Sequence, residues 1–224
     1  MNRELAAVLW DLDGTLIDSE PYWMRAEIEL AEAHGGEWTP GDAAACIGNT
    51  ILVTSQRMIA RGVRLSTDEI SARLFARMHE LIHTEGLPYR PGALELIHEI
   101  TAAGVPQALV TMSYGAYVEA ALGAFPPNAF EKVRTGTSVA RGKPAPDIYL
   151  AAAADLALAP QDCLAVEDSH AGAQAILSAG VTPVVVAGHG SVPEHPDLIR
   201  LTTLAGVTFD HFRELHFSYA AARA

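Results

Sequence analysis

The chain has 224 residues, half of them apolar, with 27 acidic against 15 basic side chains and a formal charge of −12. That length is about one and a half times a typical domain of roughly 150 residues, which suits one large α/β unit or a core with a smaller insert. The only lysines are Lys132 and Lys143, so no basic stripe marks a nucleic-acid footprint, and no apolar run approaches the ~18 residues of a membrane span.

The first strong element is Ala6–Trp10, a short apolar run that stops abruptly at Asp11. From about Asp18 to Gly86 only helical patterns follow. Trp23, Ala26, Leu30 and Ala33 form one stripe. Ser66 with Glu69 reads as a capping box ahead of a second stripe, Ile70, Leu74, Met78 and Leu81. Pro91 then opens a helix carrying Leu94, Ile97 and Ile100, closed by Gly104. Val105–Val110 is a second apolar run. Pro146 opens a helix with Tyr149, Ala152, Ala153 and Leu156 on one face. Cys163–Val166, a helix over Ala171–Ala179 ending at Gly180, and Thr182–Val186 complete the series, and the Pro-rich stretch to Pro196 reads as strand plus surface loop.

Short runs that are apolar at every position predict parallel strands buried on both faces. Alternating with helices, they predict an α/β fold: a doubly wound, Rossmann-like, mostly parallel sheet. The helical stretch reads as an inserted all-helical cap over 18–86, leaving a core of 1–17 and 87–224, and it accounts for the surplus length. Cys46 and Cys163 lack CxxC spacing and are expected as reduced thiols. The start, Met1-Asn2-Arg3-Glu4, does not read as a secretory signal. A cytoplasmic protein, monomeric or weakly dimeric, is expected.

In such sheets ligands bind at the carboxyl ends of the strands. Asp11-Leu12-Asp13-Gly14-Thr15 follows the first run, Thr111-Met112-Ser113 the second, Gly142-Lys143-Pro144 precedes a helix, and Glu167-Asp168 follows a later run. Four carboxylates at one crevice would repel unless a cation neutralised them, and an all-oxygen donor set suits Mg²⁺. Each residue has a physical task in phosphoryl transfer. Asp11 is the expected nucleophile and Asp13 the acid that protonates the leaving alcohol. Thr111 and Lys143 are expected to hold the phosphoryl oxygens, with Met112 and Ser113 beside them. Asp11, the backbone carbonyl of Asp13 and Asp168 are the expected metal ligands, with Glu167 close by or acting through water. The structural alternative for Glu167 and Asp168 is a cap on the helix starting near Ser169.

This set of motifs, spread over essentially the whole chain, resembles the haloacid dehalogenase-like superfamily. The match is DxDxT at Asp11–Thr15, Thr111 after a strand, Lys143 before Pro144, and Glu167-Asp168 followed by Ser169-His170-Ala171-Gly172. The run Asp13-Gly14-Thr15-Leu16-Ile17-Asp18-Ser19-Glu20-Pro21 is similar to the β-phosphoglucomutase and sugar-phosphate phosphatase branch. The resemblance implies a phosphatase acting on a small phosphorylated metabolite such as a sugar phosphate, with the insert as the family's cap. Asp13 disfavours dehalogenase chemistry, and the absence of any lysine before Lys132 excludes a Schiff-base branch. The mutase branch has a cap His where this chain has Trp23, and an Arg near the position of Ile51. Water is therefore the expected phosphoryl acceptor, with an intramolecular phosphomutase as the alternative. Trp23 reads either as core of the cap or as a wall over the substrate.

One motif points elsewhere. His79-Glu80-Leu81-Ile82-His83 matches the zinc-protease pattern H-E-x-x-H. The longer pattern fails, because Tyr89 stands where a third His is needed, and both histidines point away from the apolar stripe. A solvated helix face is the expectation.

Overall fold

The computed structural model describes residues 4–223, so the reading of Met1–Arg3 as part of a non-signal start lies outside the described residues. Six strands form one all-parallel sheet: β1 (Ala7–Trp10), β2 (Gln107–Val110), β3 (Lys132–Arg134), β4 (Cys163–Glu167), β5 (Thr182–Val186) and β6 (Ile199–Leu201). The strand order is β3-β2-β1-β4-β5-β6, so the order reverses at β1. Every residue of β1, β2, β4 and β5 is buried. The doubly wound parallel expectation holds, because two-sided burial dictates unbroken apolar runs.

Alternate residues supply the two faces. On one face Ala7, Leu9, Ala108, Val110 and Ala165 pack with α7 (Asp147–Asp155) and α8 (His170–Ala179). Trp10 faces the other way, its ring 5.8 Å from that of Phe212 on α9 (Phe209–Ala221). The Trp10 indole N–H donates to Gln107 Oε1 at 2.8 Å, and Gln107 Nε2 donates to the Ile97 carbonyl of α5 (Ala93–Ala102) at 3.2 Å. A buried indole thus keeps its hydrogen bond inside the apolar layer.

The chain divides into two compact units. The sheet unit holds residues up to Asp18, Tyr89–Met112 and residues from Phe125 on; the helical unit holds Ser19–Pro88 and Ser113–Ala124. In the helical unit α1 (Glu20–Ala33), α2 (Pro40–Ala44), α3 (Ile51–Ala60) and α4 (Thr67–Glu85) are joined by α6 (Ala116–Ala124), which packs on α4. The capping box forms as its residue types require: Ser66 Oγ accepts from Glu69 N–H at 3.3 Å, and Glu69 Oε2 accepts from Ser66 N–H at 2.8 Å. No helix among the described residues is long and apolar enough to cross a membrane.

Candidate active site

The site is built at the carboxyl ends of β1, β2 and β4, the point where the strand order reverses. The Asp11 N–H extends the β1–β4 ladder by donating to the Val166 carbonyl at 3.1 Å. One residue past β2, the Thr111 N–H donates to Arg134 O at 2.9 Å. Asp11, Thr111, Lys143, Glu167 and Asp168 are all buried.

Lys143 ties three strand ends together. Its Nζ donates to Asp11 Oδ1 at 2.6 Å, to the Val110 carbonyl at 3.0 Å and to Glu167 Oε1 at 2.7 Å. Burial opposes its charge, but Asp11 and Glu167 hold the ammonium well above the ordinary lysine range. The peptide from Lys143 to Pro144 is cis. Burial, with the Glu167 carboxylate adding to it, pushes Asp11 up to about 7 against the pull of Lys143.

The hydrogen-bond partners of Glu167 are all donors. Oε2 accepts from the N–H groups of Asp168 at 2.9 Å and Ser169 at 2.8 Å, and from Ser169 Oγ at 2.9 Å. Oε1 accepts from Lys143 and, at 3.4 Å, from the Tyr149 hydroxyl. Ser169 also caps α8, accepting from Gly172 N–H at 3.0 Å, so the helix start and the carboxylate share one turn.

Asp168 is flanked closely by two glycines. A Cβ on Gly14, whose φ is +84°, would lie 2.1 Å from Asp168 Oδ2, and one on Gly188 would lie 2.2 Å away. The Thr15 hydroxyl donates to Asp168 Oδ1 at 3.5 Å. Ligand oxygens of Asp11, Glu167 and Asp168 lie within 4.8 Å of one another, and they form the one such group of three or more metal-capable side chains among the described residues.

Gly188 lies in a loop that is tied down at two further points. His189 Nε2 is 2.6 Å from Asp18 Oδ1, and the Arg90 guanidinium donates to the Ala187 carbonyl. Arg90 N–H in turn donates to Leu16 O at 2.9 Å, and Ile17 bridges to Tyr89. The loop against Asp168 is thus fastened to two other segments of the sheet unit, the one ending at Asp18 and the one starting at Tyr89.

Asp11 and Thr111 directly follow β1 and β2, Glu167 closes β4 with Asp168 next in the chain, and Lys143 lies in the segment between β3 and α7, ahead of that helix. Asp13 occupies the turn after β1, bridged to Ile17. Met112 lies in the sheet unit, its Cε where a Cβ on Gly142 would fall, 2.2 Å away. Ser113 and Trp23 belong to the helical unit. Trp23 is half-buried and meets Phe75 and Tyr117 edge-on, at 5.4 and 5.7 Å. The Tyr149 hydroxyl, the Val110 carbonyl and the Gly188 loop were not singled out from the sequence. Of these only Tyr149 carried a signal, a hydroxyl on an otherwise alanine-rich buried face.

The model of the haloacid dehalogenase-like hydrolases matches residues 5–180. The chain belongs to this family. As a haloacid dehalogenase-like hydrolase it is 38% identical over 186 residues to hexitol phosphatase A of Escherichia coli, covering 83% of this chain and 84% of that one. The crystal structure of a CbbY variant from Rhodobacter sphaeroides in complex with xylulose-(1,5)bisphosphate is 26% identical, with a TM-score of 0.82, covering 92% of this chain and 98% of that one. The β-phosphoglucomutase of Clostridium difficile, at 21% identity, shares the fold, with a TM-score of 0.77 and coverage of 97% and 99%. These neighbours bear out the branch that the Asp13–Pro21 run resembles.

Proposed function

We propose that this hydrolase is a Mg²⁺-dependent phosphatase that cleaves a small phosphomonoester, a sugar or sugar-alcohol phosphate, through an aspartyl-phosphate. The observation that carries this reading is the buried Lys143 ammonium bonded at once to Asp11, Val110 O and Glu167. Such a group fixes a carboxylate nucleophile and a cation beside one another where an anionic substrate must bind. The names of hexitol phosphatase A and CbbY, the latter holding a sugar bisphosphate, support the substrate class.

The donor set fits a hard divalent cation. It offers carboxylate oxygens from buried side chains, a cradle for Asp168 that two glycines keep open, and an excess of negative charge around Asp11. Asp11, the Asp13 backbone carbonyl and Asp168 would hold Mg²⁺, which when bound neutralises phosphoryl charge. Glu167, saturated by donors, serves to hold Lys143.

In the first half-reaction an Asp11 carboxylate oxygen attacks phosphorus as the ester P–O bond breaks, and Asp13 gives its proton to the departing alcohol oxygen. In the second, Asp13 takes a proton from water as that water attacks the phosphorus. The Asp11–phosphorus bond breaks, giving inorganic phosphate and free Asp11. Thr111 holds a phosphoryl oxygen in both steps, and the Lys143 ammonium, kept beside Asp11, offsets the phosphoryl charge. The enzyme works as a monomer or weak dimer. A phosphate-release screen over hexitol phosphates, sugar phosphates and nucleotides with Mg²⁺ tests the reading. Turnover confined to nucleotides, or a bisphosphate requirement with isomerised product and no free phosphate, would overturn it, the second result in favour of a phosphomutase.

A further inference from the structure

Helix α4 carries a pair of side chains that phosphoryl transfer does not use. Its apolar stripe, including Leu74, Met78 and Leu81, is buried, whereas His79 and His83 are exposed on the opposite side. Their rings lie nearly parallel, 6° apart in plane with centroids separated by 6.5 Å. Among the nine histidines they are the one pair spaced four residues apart. That spacing puts two side chains side by side on one helix face. Neither imidazole makes a hydrogen bond or ion pair with the described residues, and both residues are exposed.

The backbone beneath the pair is fixed. The helix starts with a closed capping box, ends with the Gly86 N–H on the Ile82 carbonyl, and is braced midway by Arg77, which binds Glu29 of α1 at 2.7 Å. The same arginine holds Glu80 at 2.9 Å, so the carboxylate between the histidines is already paired.

We infer that His79 and His83 form a surface chelating site for a late first-row divalent cation. Two imidazoles bite one ion when their nitrogens come within roughly 3 Å, given metal–nitrogen bonds of about 2 Å at a tetrahedral angle. Exposed rings on a rigid helix reach that separation by side-chain rotation alone. Imidazole donors select Cu²⁺, Ni²⁺ and Zn²⁺ over Mg²⁺, with Cu²⁺ bound most tightly. The cation's place in the last turns of α4 adds a favourable interaction with the negative end of the helix dipole. Water completes the coordination shell. The site binds and does not hydrolyse peptides. It has no third ligand, since the one group of three metal-capable side chains among the described residues is at Asp11, Glu167 and Asp168. The Glu80 that a protease would use as base is tied to Arg77. The chain then sorts cations by chemistry, hard ions at the strand ends and imidazole-seeking ions on α4.

The full chain, free of any affinity tag, tests this on a resin charged with Ni²⁺. A resin-held ion reaches exposed imidazoles but not buried carboxylates. Wild type is expected to be retained, and His79→Ala and His83→Ala each to elute at several-fold lower imidazole concentration. His98→Ala, which removes an exposed histidine elsewhere, is expected to elute with wild type. In solution, with Mg²⁺ in excess, Cu²⁺ titration is expected to show one site whose affinity falls at least about tenfold in either variant, one ligand counting for no less than the outer-shell contacts whose loss costs about 10–100-fold. Hydrolysis of p-nitrophenyl phosphate with Mg²⁺ should be equal in all four proteins, which establishes that the variants fold. Passage of wild type through the resin overturns the inference, as does equal retention of the variants. Loss in only one of the two alanine variants also overturns it, because chelation needs both rings.

Discussion

Replacing Glu167 by Gln removes one charge and almost no volume, yet every hydrogen-bond partner of that carboxylate is a donor: Lys143 Nζ and the Tyr149 hydroxyl on one oxygen, two backbone N–H groups and the Ser169 hydroxyl on the other. An amide must point its NH₂ at one of these sets, so whichever way it turns donors face donors. A buried donor left unmet costs about 1–3 kcal/mol, and breaking one side of a buried ion pair about 3–5 kcal/mol. We expect Glu167→Gln to lose about 4 kcal/mol, a large share of the 5–15 kcal/mol typical of a domain. With a urea slope of about 2–3 kcal/mol/M, the unfolding midpoint falls by roughly 1.5 M. The assay is urea unfolding in EDTA, followed by circular dichroism, so that no cation contributes. If Glu167 serves the cation instead of Lys143, the metal-free variant will unfold with wild type and only its Mg²⁺ requirement will rise. That outcome would refute the reasoning.

Two further outcomes follow from buried groups. Glu27 is buried on α1, and burial pushes its carboxyl from the ordinary 4.5 up to about 7, with the Trp38 indole N–H, donating at 3.0 Å, pulling down and Glu20 pushing up. The folded state therefore binds a proton more readily than the unfolded chain between these values, and stability falls as pH rises through that window, by about 3 kcal/mol in all. Glu27→Gln keeps an acceptor for Trp38, so its advantage over wild type should be near zero at pH 4.5 and approach about 3 kcal/mol at pH 8; a difference constant across pH, read by urea unfolding, counts against this. Gly188→Ala would drive a methyl group to 2.2 Å from Asp168 Oδ2. Its Mg²⁺ half-saturation for phosphatase activity should rise about 10–100-fold, and an unchanged Mg²⁺ curve would remove Asp168 from the cation site.

The central strands were legible because burial on both faces leaves them almost wholly apolar, with a polar residue only at an end, as in AVLW, CLAVE and TPVVV. The edge strands β3 and β6 were not. Lys132-Val133-Arg134 and Ile199-Arg200-Leu201 keep solvent on part of each residue, and three such residues read like loop. Helix α9 does carry a signal, since Phe209, Phe212 and His216 recur at helical spacing and are buried. Helix α6 could not be placed from periodicity, because its partner α4 lies far away in sequence. The acids and Lys143 were legible as residue types at strand ends. Their partners were not, since a carbonyl at Val110 and a glycine at 188 become functional only through tertiary approach.

The account rests on Asp11 as the nucleophile. Asp11→Asn keeps the shape and an acceptor for Lys143 while removing the attacking carboxylate. With Mg²⁺ and p-nitrophenyl phosphate, wild type should release phosphate and the variant should show no turnover above background, with both proteins folded by circular dichroism. Wild-type hydrolysis should also stop in EDTA and return with added Mg²⁺. Turnover retained by a folded Asp11→Asn protein would contradict the mechanism.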